Sequence, residues 1–243
     1  MAQKRCYGNP PAGVDLHELD GLLVVIEGPD ASGRSTHIHL LSEWLEERGF
    51  PVARTGLTRS KLVAEALDNA KLGNVLSPRT MSLFYATDFY DQLENVIVPA
   101  LRAGSIVLAD RYIFTMMARD AVRGADRDWL RSLYSMALVP DAVFYFSVDL
   151  DTLVERALAD HGHLDYWESG MDLGISRDWY TSFTRYQESM REEFARLQTE
   201  YAFEAIDVNR KLTRVQEDLR AALDRVIGKA YPKGRDESLK LVG

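Results

Sequence analysis

The sequence predicts an α/β fold: a three-layer sandwich with a mostly parallel sheet of about five strands and helices on both faces. Three observations predict it. Short runs rich in Val, Ile and Leu alternate along the chain with segments of helical period, the pattern of strand–helix–strand units. The first run, Leu22–Ile26, is apolar throughout, as a strand buried on both faces must be. It passes directly into a glycine-containing turn and then an amphipathic segment.

Each element follows in order. After the first strand, Ile38, Leu41, Trp44 and Leu45 fall on one face of a helix from about Ser35 to Arg48, and Gly49 is its C-cap. A short strand spans about Val52 to Thr55, and a second helix carries Leu62, Val63, Ala66, Leu67 and Ala70. Ser77-Pro78 reads as an N-cap with proline at the first helical position. That helix runs through Phe84, Leu93, Val96 and Ile97, meets a kink or early stop at Pro99, and ends by Gly104. Ile106–Leu108 is a strand that delivers Asp110 at its carboxyl end. Val143–Val148 is another, and Asp149 or Asp151 caps the helix holding Leu153 and Ala157. A long helix bears an apolar stripe of Trp179, Phe183, Tyr186, Met190, Phe194 and Leu197, read as core. Phe203–Asp207 is the last strand, and Thr213 with Gln216 forms a capping box for the final helix.

The organisation expected is an N-terminal extension (1–21), one domain (22–228) with a lid over about 159–176, and a mobile C-terminal tail (229–243). The 46% hydrophobic content suffices for a sizeable core. A formal net charge of -8 argues against a broad nucleic-acid or anionic-membrane surface, though not against a local arginine pocket. The N-terminal segment has no apolar stretch of signal-peptide type, and no run approaches the ~18 residues of a membrane span. Cys6 is the single cysteine, placed in a flexible tail, which fits a cytoplasmic setting.

The chemistry is concentrated in Gly28-Pro29-Asp30-Ala31-Ser32-Gly33-Arg34-Ser35-Thr36, between the first strand and first helix. This is the register of a phosphate-binding P-loop, whose backbone N–H groups and helix N-terminus face an anion. Gly28 and Gly33 allow backbone geometry that a Cβ would obstruct. Arg34 stands where the pattern has lysine; it keeps the charge but carries a wider, planar fork. Ser35 offers the hydroxyl that joins a Mg²⁺ shell. The loop thus predicts ATP binding within the P-loop NTPase class. Asp30, Asp88 and Asp110 also allow a reading as paired hydrolytic acids, but the loop accounts for two of them better.

Three stretches resemble thymidylate kinases: Ile26–Asp30 entering the loop; Leu83–Asp88, continuing to Ile97–Gly104 and Asp110-Arg111-Tyr112; and Pro140–Leu150 leading to the lid. The resemblance covers roughly Leu22 to Leu219. It implies Mg²⁺-assisted transfer from ATP to a deoxynucleoside monophosphate, dTMP first, in a homodimer. It further implies that Asp30 lies near the acceptor sugar and transferring phosphate, that Asp110 organises Mg²⁺ with Ser35, that Arg111 meets the acceptor phosphate, and that Tyr85 stacks on the base. Asp30, Arg34, Asp110 and Arg111 are then the candidate catalytic residues. Tyr85 as plain core and Arg111 as an ion-pair partner stay open.

Two departures from the family pattern follow. Phe89 stands where the family has an arginine helping to hold the acceptor phosphate, and Arg119 where it has an aromatic near the acceptor. The expectation is a reciprocal exchange, Arg119 supplying the charge and Phe89 the ring, against Arg119 as a solvated helix residue. The lid reads Ala159–Glu168 without lysine or arginine, leaving Arg156 and Arg177 as its flanking cations. His161 and His163 lack further ligands at metal-site spacing, so a polar loop is expected there. A kinase for another acceptor and a non-catalytic ATP-binding module are the alternatives.

Overall fold

The computed structural model describes residues 3–73 and 76–231. Five strands, β1 (Leu22–Glu27), β2 (Val52–Gly56), β3 (Ile106–Asp110), β4 (Ala142–Ser147) and β5 (Glu204–Asp207), form one sheet in the order β2-β3-β1-β4-β5. Every neighbouring pair is parallel. Alternate residues of β1 feed two cores. Leu23 and Val25 face one layer with Phe89, Phe114 and Phe194; Leu22, Val24 and Ile26 face the other with Leu41, Phe146 and Leu219. This double burial is why the strand carries no polar alternation.

Helix α1 (Arg34–Glu47) ends at Gly49, whose φ of 82° is the left-handed conformation that favours glycine. α2 spans Ala64–Gly73, so Leu62 and Val63 lie before it, their N–H groups donating to Ser60 Oγ at 3.0 and 3.3 Å. Ser77 does cap α3 (Pro78–Gln92). Beyond α3 the chain does not stop at Pro99: a π-helical turn over Leu93–Ile97 runs into α4 (Val98–Arg102). A widened turn accommodates a residue that lacks N–H and whose ring would collide with the preceding turn.

Helices α5 (Ile113–Val122) and α6 (Arg127–Leu133), for which the sequence offered no separate expectation, follow β3. Asp149 precedes α7 (Leu150–His161) as its N-cap. In α8 (Trp179–Tyr201) Phe183, Tyr186, Phe194 and Leu197 are buried, whereas Trp179 is 43% exposed at the helix start. The expected capping box of α9 (Leu212–Ala230) does not form. Lys211 occupies the N-cap position, and Gln216 reaches across to α1, bonding His37 Nδ1 at 2.7 Å and donating to its carbonyl at 3.1 Å. Of the tail expected over 229–243, Lys229 and Ala230 close α9, and residues from 232 onward lie outside the described residues.

The N-terminal segment is not a loose tail. Cys6 bridges Leu138 in antiparallel fashion, Tyr7 N donates to Ala137 O at 3.1 Å, and Val139 N donates to Arg5 O at 2.8 Å. Lys4 pairs with Asp141, which also accepts from Leu23 N at 2.7 Å. The segment therefore satisfies backbone groups beside β4, and the Tyr7 ring packs edge-on to Tyr201 at 5.3 Å. No helix among the described residues is long and apolar enough to cross a membrane.

Phe89 is 3% exposed and sits edge-to-face with Tyr112 at 5.1 Å and Tyr134 at 5.9 Å. Its place is the core. Replacing it by alanine, Phe89→Ala, is expected to cost about 3–5 kcal/mol of stability in urea denaturation, from lost burial and a cavity that rigid neighbours do not refill.

Candidate functional site

Parallel pairing of β1 with β3 sets Ile26 opposite Asp110, so the loop leaving one strand lies beside the acid ending the other. The crevice outside the carboxyl ends of parallel strands is where such sheets bind ligands. In the Gly28–Thr36 loop, Gly28 has φ 150° and lies so close to β4 that a Cβ would meet Phe146 Cβ at 2.9 Å. Gly33, at φ 84°, turns the chain into α1.

Arg34 is folded back into this loop. Its Nη1 donates to Gly28 O at 2.6 Å, to Ser32 Oγ at 3.2 Å and to Pro29 O, while its Nε donates to Asp110 Oδ1 at 2.9 Å. Ser35 Oγ donates to the other Asp110 oxygen at 3.0 Å. One carboxylate and one hydroxyl, adjacent and both hard oxygen donors, suit Mg²⁺, which takes few protein ligands and completes its shell with water and phosphate oxygens. Among the described residues no cluster of three or more His, Cys, Asp or Glu offers an all-protein metal cage.

Arg111 follows Asp110 with a φ of 72°, unusual for a side chain of its size and typical of functional turns. It pairs with Asp30, whose other oxygen accepts from Arg119 Nη2 at 3.0 Å. Burial opposes ionisation of Asp30, yet Arg111, Arg119 and Arg34 hold its carboxyl well below the usual carboxylate range. Beneath them Glu27, fully buried at the end of β1, accepts from Tyr112 N at 2.9 Å, Thr115 N at 3.3 Å and the Thr115 hydroxyl. Burial pushes Glu27 up to about 6 despite these donors.

The loop opens into a polar cleft of about 250 Å³ lined by Arg34, Arg59, Asp110, Arg111 and Arg119. Lys71, Tyr85 and Arg119 also line an adjoining, more apolar cavity of about 170 Å³, which adds Met81, Met116 and Trp167. Tyr85 is half-buried there, with Lys71 Nζ 5.5 Å from its ring centre, and so is not plain core. Arg123 ties down the segment expected as a lid: it grips Asp172 with Nε at 2.8 Å and Nη2 at 3.0 Å, and donates to Tyr186 Oη at 2.9 Å. Asp88 is buried behind the cleft and holds the 57–60 loop by accepting from Thr58 N and Ser60 N at 2.8 and 2.9 Å.

Most expected site residues converge. Gly28, Pro29, Asp30, Arg34, Ser35, Asp110, Arg111, Tyr85 and Arg119 meet around the adjoining cleft, groove and cavity. Phe89 does not; it shares a helix face with Ala86 and Leu93, which points it into the core, so the ring expected of it in the exchange is not supplied to the cleft. Arg156, a candidate lid cation, instead donates to Val208 O at 2.9 Å. Sequence reasoning missed Arg59, Lys71, Arg123, Glu27 and Arg191, the last reaching the groove beside Gly28 and Pro29 from α8. For Arg59 a signal existed, since it lies three residues past the end of β2 on the strand-end side of the sheet.

The thymidylate kinase family model matches residues 26–219. The chain is 37% identical over 210 residues to the "Probable thymidylate kinase 2" of Saccharolobus solfataricus, covering 86% of this chain and 98% of that one. It is 32% identical over 196 residues to the thymidylate kinase of an Exiguobacterium species, covering 77% and 91%, and 34% identical over 167 residues to that of Akkermansia muciniphila, covering 68% and 80%.

Glu27 holds its proton more tightly folded, at about 6, than at its ordinary value of 4.5. Its contribution to stability is therefore fullest below pH 4.5, falls as pH rises through 6, and is lower by about 2 kcal/mol above that. Denaturation across pH 4 to 8 should show this decline in the native chain and a flatter profile in Glu27→Gln.

Proposed function

The chain belongs to the thymidylate kinase family, and we propose that it transfers the γ-phosphoryl group of ATP to dTMP, giving ADP and dTDP. The observation that carries this reading is that the polar cleft and the apolar cavity adjoin, sharing Lys71, Tyr85 and Arg119 as walls. A phosphate-binding loop, four arginines and a cavity with an aromatic wall lie along one path in the order that donor phosphates, acceptor phosphate and acceptor base would take. Two polyanions must be brought end to end, and the chain sets Arg34, Arg59, Arg111 and Arg119 between the places each would occupy.

The roles follow from chemistry. Backbone N–H groups of the loop and the α1 N-terminus receive the donor phosphates. Arg34 exchanges its loop carbonyl partners for phosphate oxygens while Asp110 keeps its Nε oriented. Arg59 and Arg111 hold the acceptor phosphate, Arg119 neutralises it from the cavity side, and Asp30 restrains both Arg111 and Arg119. Tyr85 provides the stacking face for the base. Ser35 and Asp110 would hold Mg²⁺, which supplies charge neutralisation of the phosphates. No covalent intermediate is needed, because alignment and fixed charge lower the barrier. A homodimer in the cytoplasm, with 22–228 as the catalytic unit, completes the proposal.

ADP release with Mg²⁺ should be measured against dTMP, dUMP, other monophosphates and thymidine. Turnover on dTMP that disappears in Asp110→Ala is the expected outcome; ATP binding without turnover on any acceptor would sink the reading. Arg34→Ala should lower kcat by about 10²- to 10³-fold, as loss of a preorganised charge donor does. Arg59→Ala should raise the KM for dTMP by about 10-fold or more, the scale of one charge-assisted phosphate contact.

A further inference from the structure

The wall of the 170 Å³ cavity contains a polar group that the proposed mechanism leaves without a task. Asp120, on α5 one residue past Arg119, is 9% exposed and lines the cavity with Tyr85, Met81 and Met116. Its Oδ2 is buried and has no hydrogen-bond partner among the described residues. A buried carboxylate oxygen without a donor is costly and uncommon in folded proteins. Its neighbours relieve the carboxyl only in part and leave Oδ2 without a donor. Ser82, which faces Asp120, also donates its hydroxyl to Pro78 O at 3.0 Å. Arg123 directs its donors to Asp172, Tyr186, Trp167 and the Arg119 carbonyl, and Arg119 extends Nη2 to Asp30. Burial accordingly pushes the Asp120 carboxyl up to about 6, with Ser82, Arg123 and Arg119 only partly opposing it.

We infer that Asp120 is the base-reading residue of the acceptor site, its free oxygen accepting the ring N3–H of a thymine or uracil seated against Tyr85. The cavity has the size of one six-membered ring: an apolar cavity of ~150 Å³ admits benzene. Its walls are otherwise apolar or cationic, so among the groups lining it Asp120 and Asp172 are the acidic acceptors, and Asp172 is already gripped by Arg123. A base with an N–H at the ring position satisfies Oδ2. Cytosine, whose N3 is an acceptor, sets lone pair against lone pair there. Sites that leave a buried polar group unpaired discriminate far more strongly than apolar pockets that merely exclude bulk.

This inference rests on the kinase reading only for the identity of the acceptor, so binding and turnover are measured separately. Dissociation constants for dTMP and for its 3-deaza analogue, in which C–H replaces N3–H, would be determined by calorimetry for the native chain, Asp120→Leu and Asp120→Asn. Turnover of dTMP and thermal melting would be followed alongside. The native chain should bind dTMP about 10- to 100-fold more tightly than the analogue, the scale of one buried bond to a charged group. Asp120→Leu should lose that ratio by weakening dTMP alone, and Asp120→Asn, which keeps an acceptor oxygen, should restore part of it. A native ratio near one, or a ratio unchanged in both variants, would overturn the inference. Discriminating binding without turnover would support it and sink the kinase reading instead.

Discussion

The structure depends on the pairing of β1 with β3. In sequence these strands are separated by α1, β2 and the run α2 to α4, yet they lie side by side and parallel, with Ile26 opposite Asp110. That register brings the Gly28–Thr36 loop and the Asp110-Arg111 turn to the same level. Arg111 N donates to Ile26 O at 3.0 Å, extending the ladder one bond beyond the strand. Slipping the register by one residue would reverse which face each β1 side chain meets, and both flanking cores would oppose it. Packing thus sets the position of the chemistry.

Glu27 carries the same constraint one layer outward. It ends β1, yet its partners are the first turn of α5, the helix that supplies Met116, Arg119 and Asp120 and is capped by Arg123. A fully buried carboxyl is a costly fixture, and here its three donors anchor the helix bearing the cavity wall to the strand bearing the loop. Asp30 is the complementary feature above it. Three cations surround one carboxylate, which limits the repulsion among arginines crowded into the cleft.

The segment expected as a lid, 159–176, follows a different logic from the basic lids of the family pattern. It lends the cleft and cavity Trp167, Glu168 and Asp172, and Glu168 is raised by burial and by nearby Asp30. Cations come instead from rigid elements: Arg119 from α5, Arg123 from its C-cap and Arg191 from α8. Charges on packed helices need less ordering on ligand binding than charges on a loop. The Arg123 fork on Asp172 fastens the lid to those helices.

Much of this was legible in the sequence because it is local. An apolar run without alternation marks a doubly buried strand, and a glycine pattern between strand and helix marks a phosphate loop, since both depend on neighbouring residues. Gly49, Ser77 and Asp149 were readable as caps for the same reason. The capping box at Thr213 and Gln216 failed because His37, 179 residues away, offered Gln216 a buried partner that local spacing cannot reveal. Phe89 and Arg119 were both flagged from sequence, but only packing could separate them: one turns toward Tyr112 and Tyr134, the other toward Asp30. Arg59, Lys71 and Asp120 acquired meaning only when β2, α2 and α5 converged on one cleft. By itself the sequence determined the strand pattern, the loop and the family, which are properties of contiguous residues. The tertiary structure decided which side chains share the cavity, because that depends on the relative placement of helices far apart in the chain and on which charges find partners before any ligand arrives.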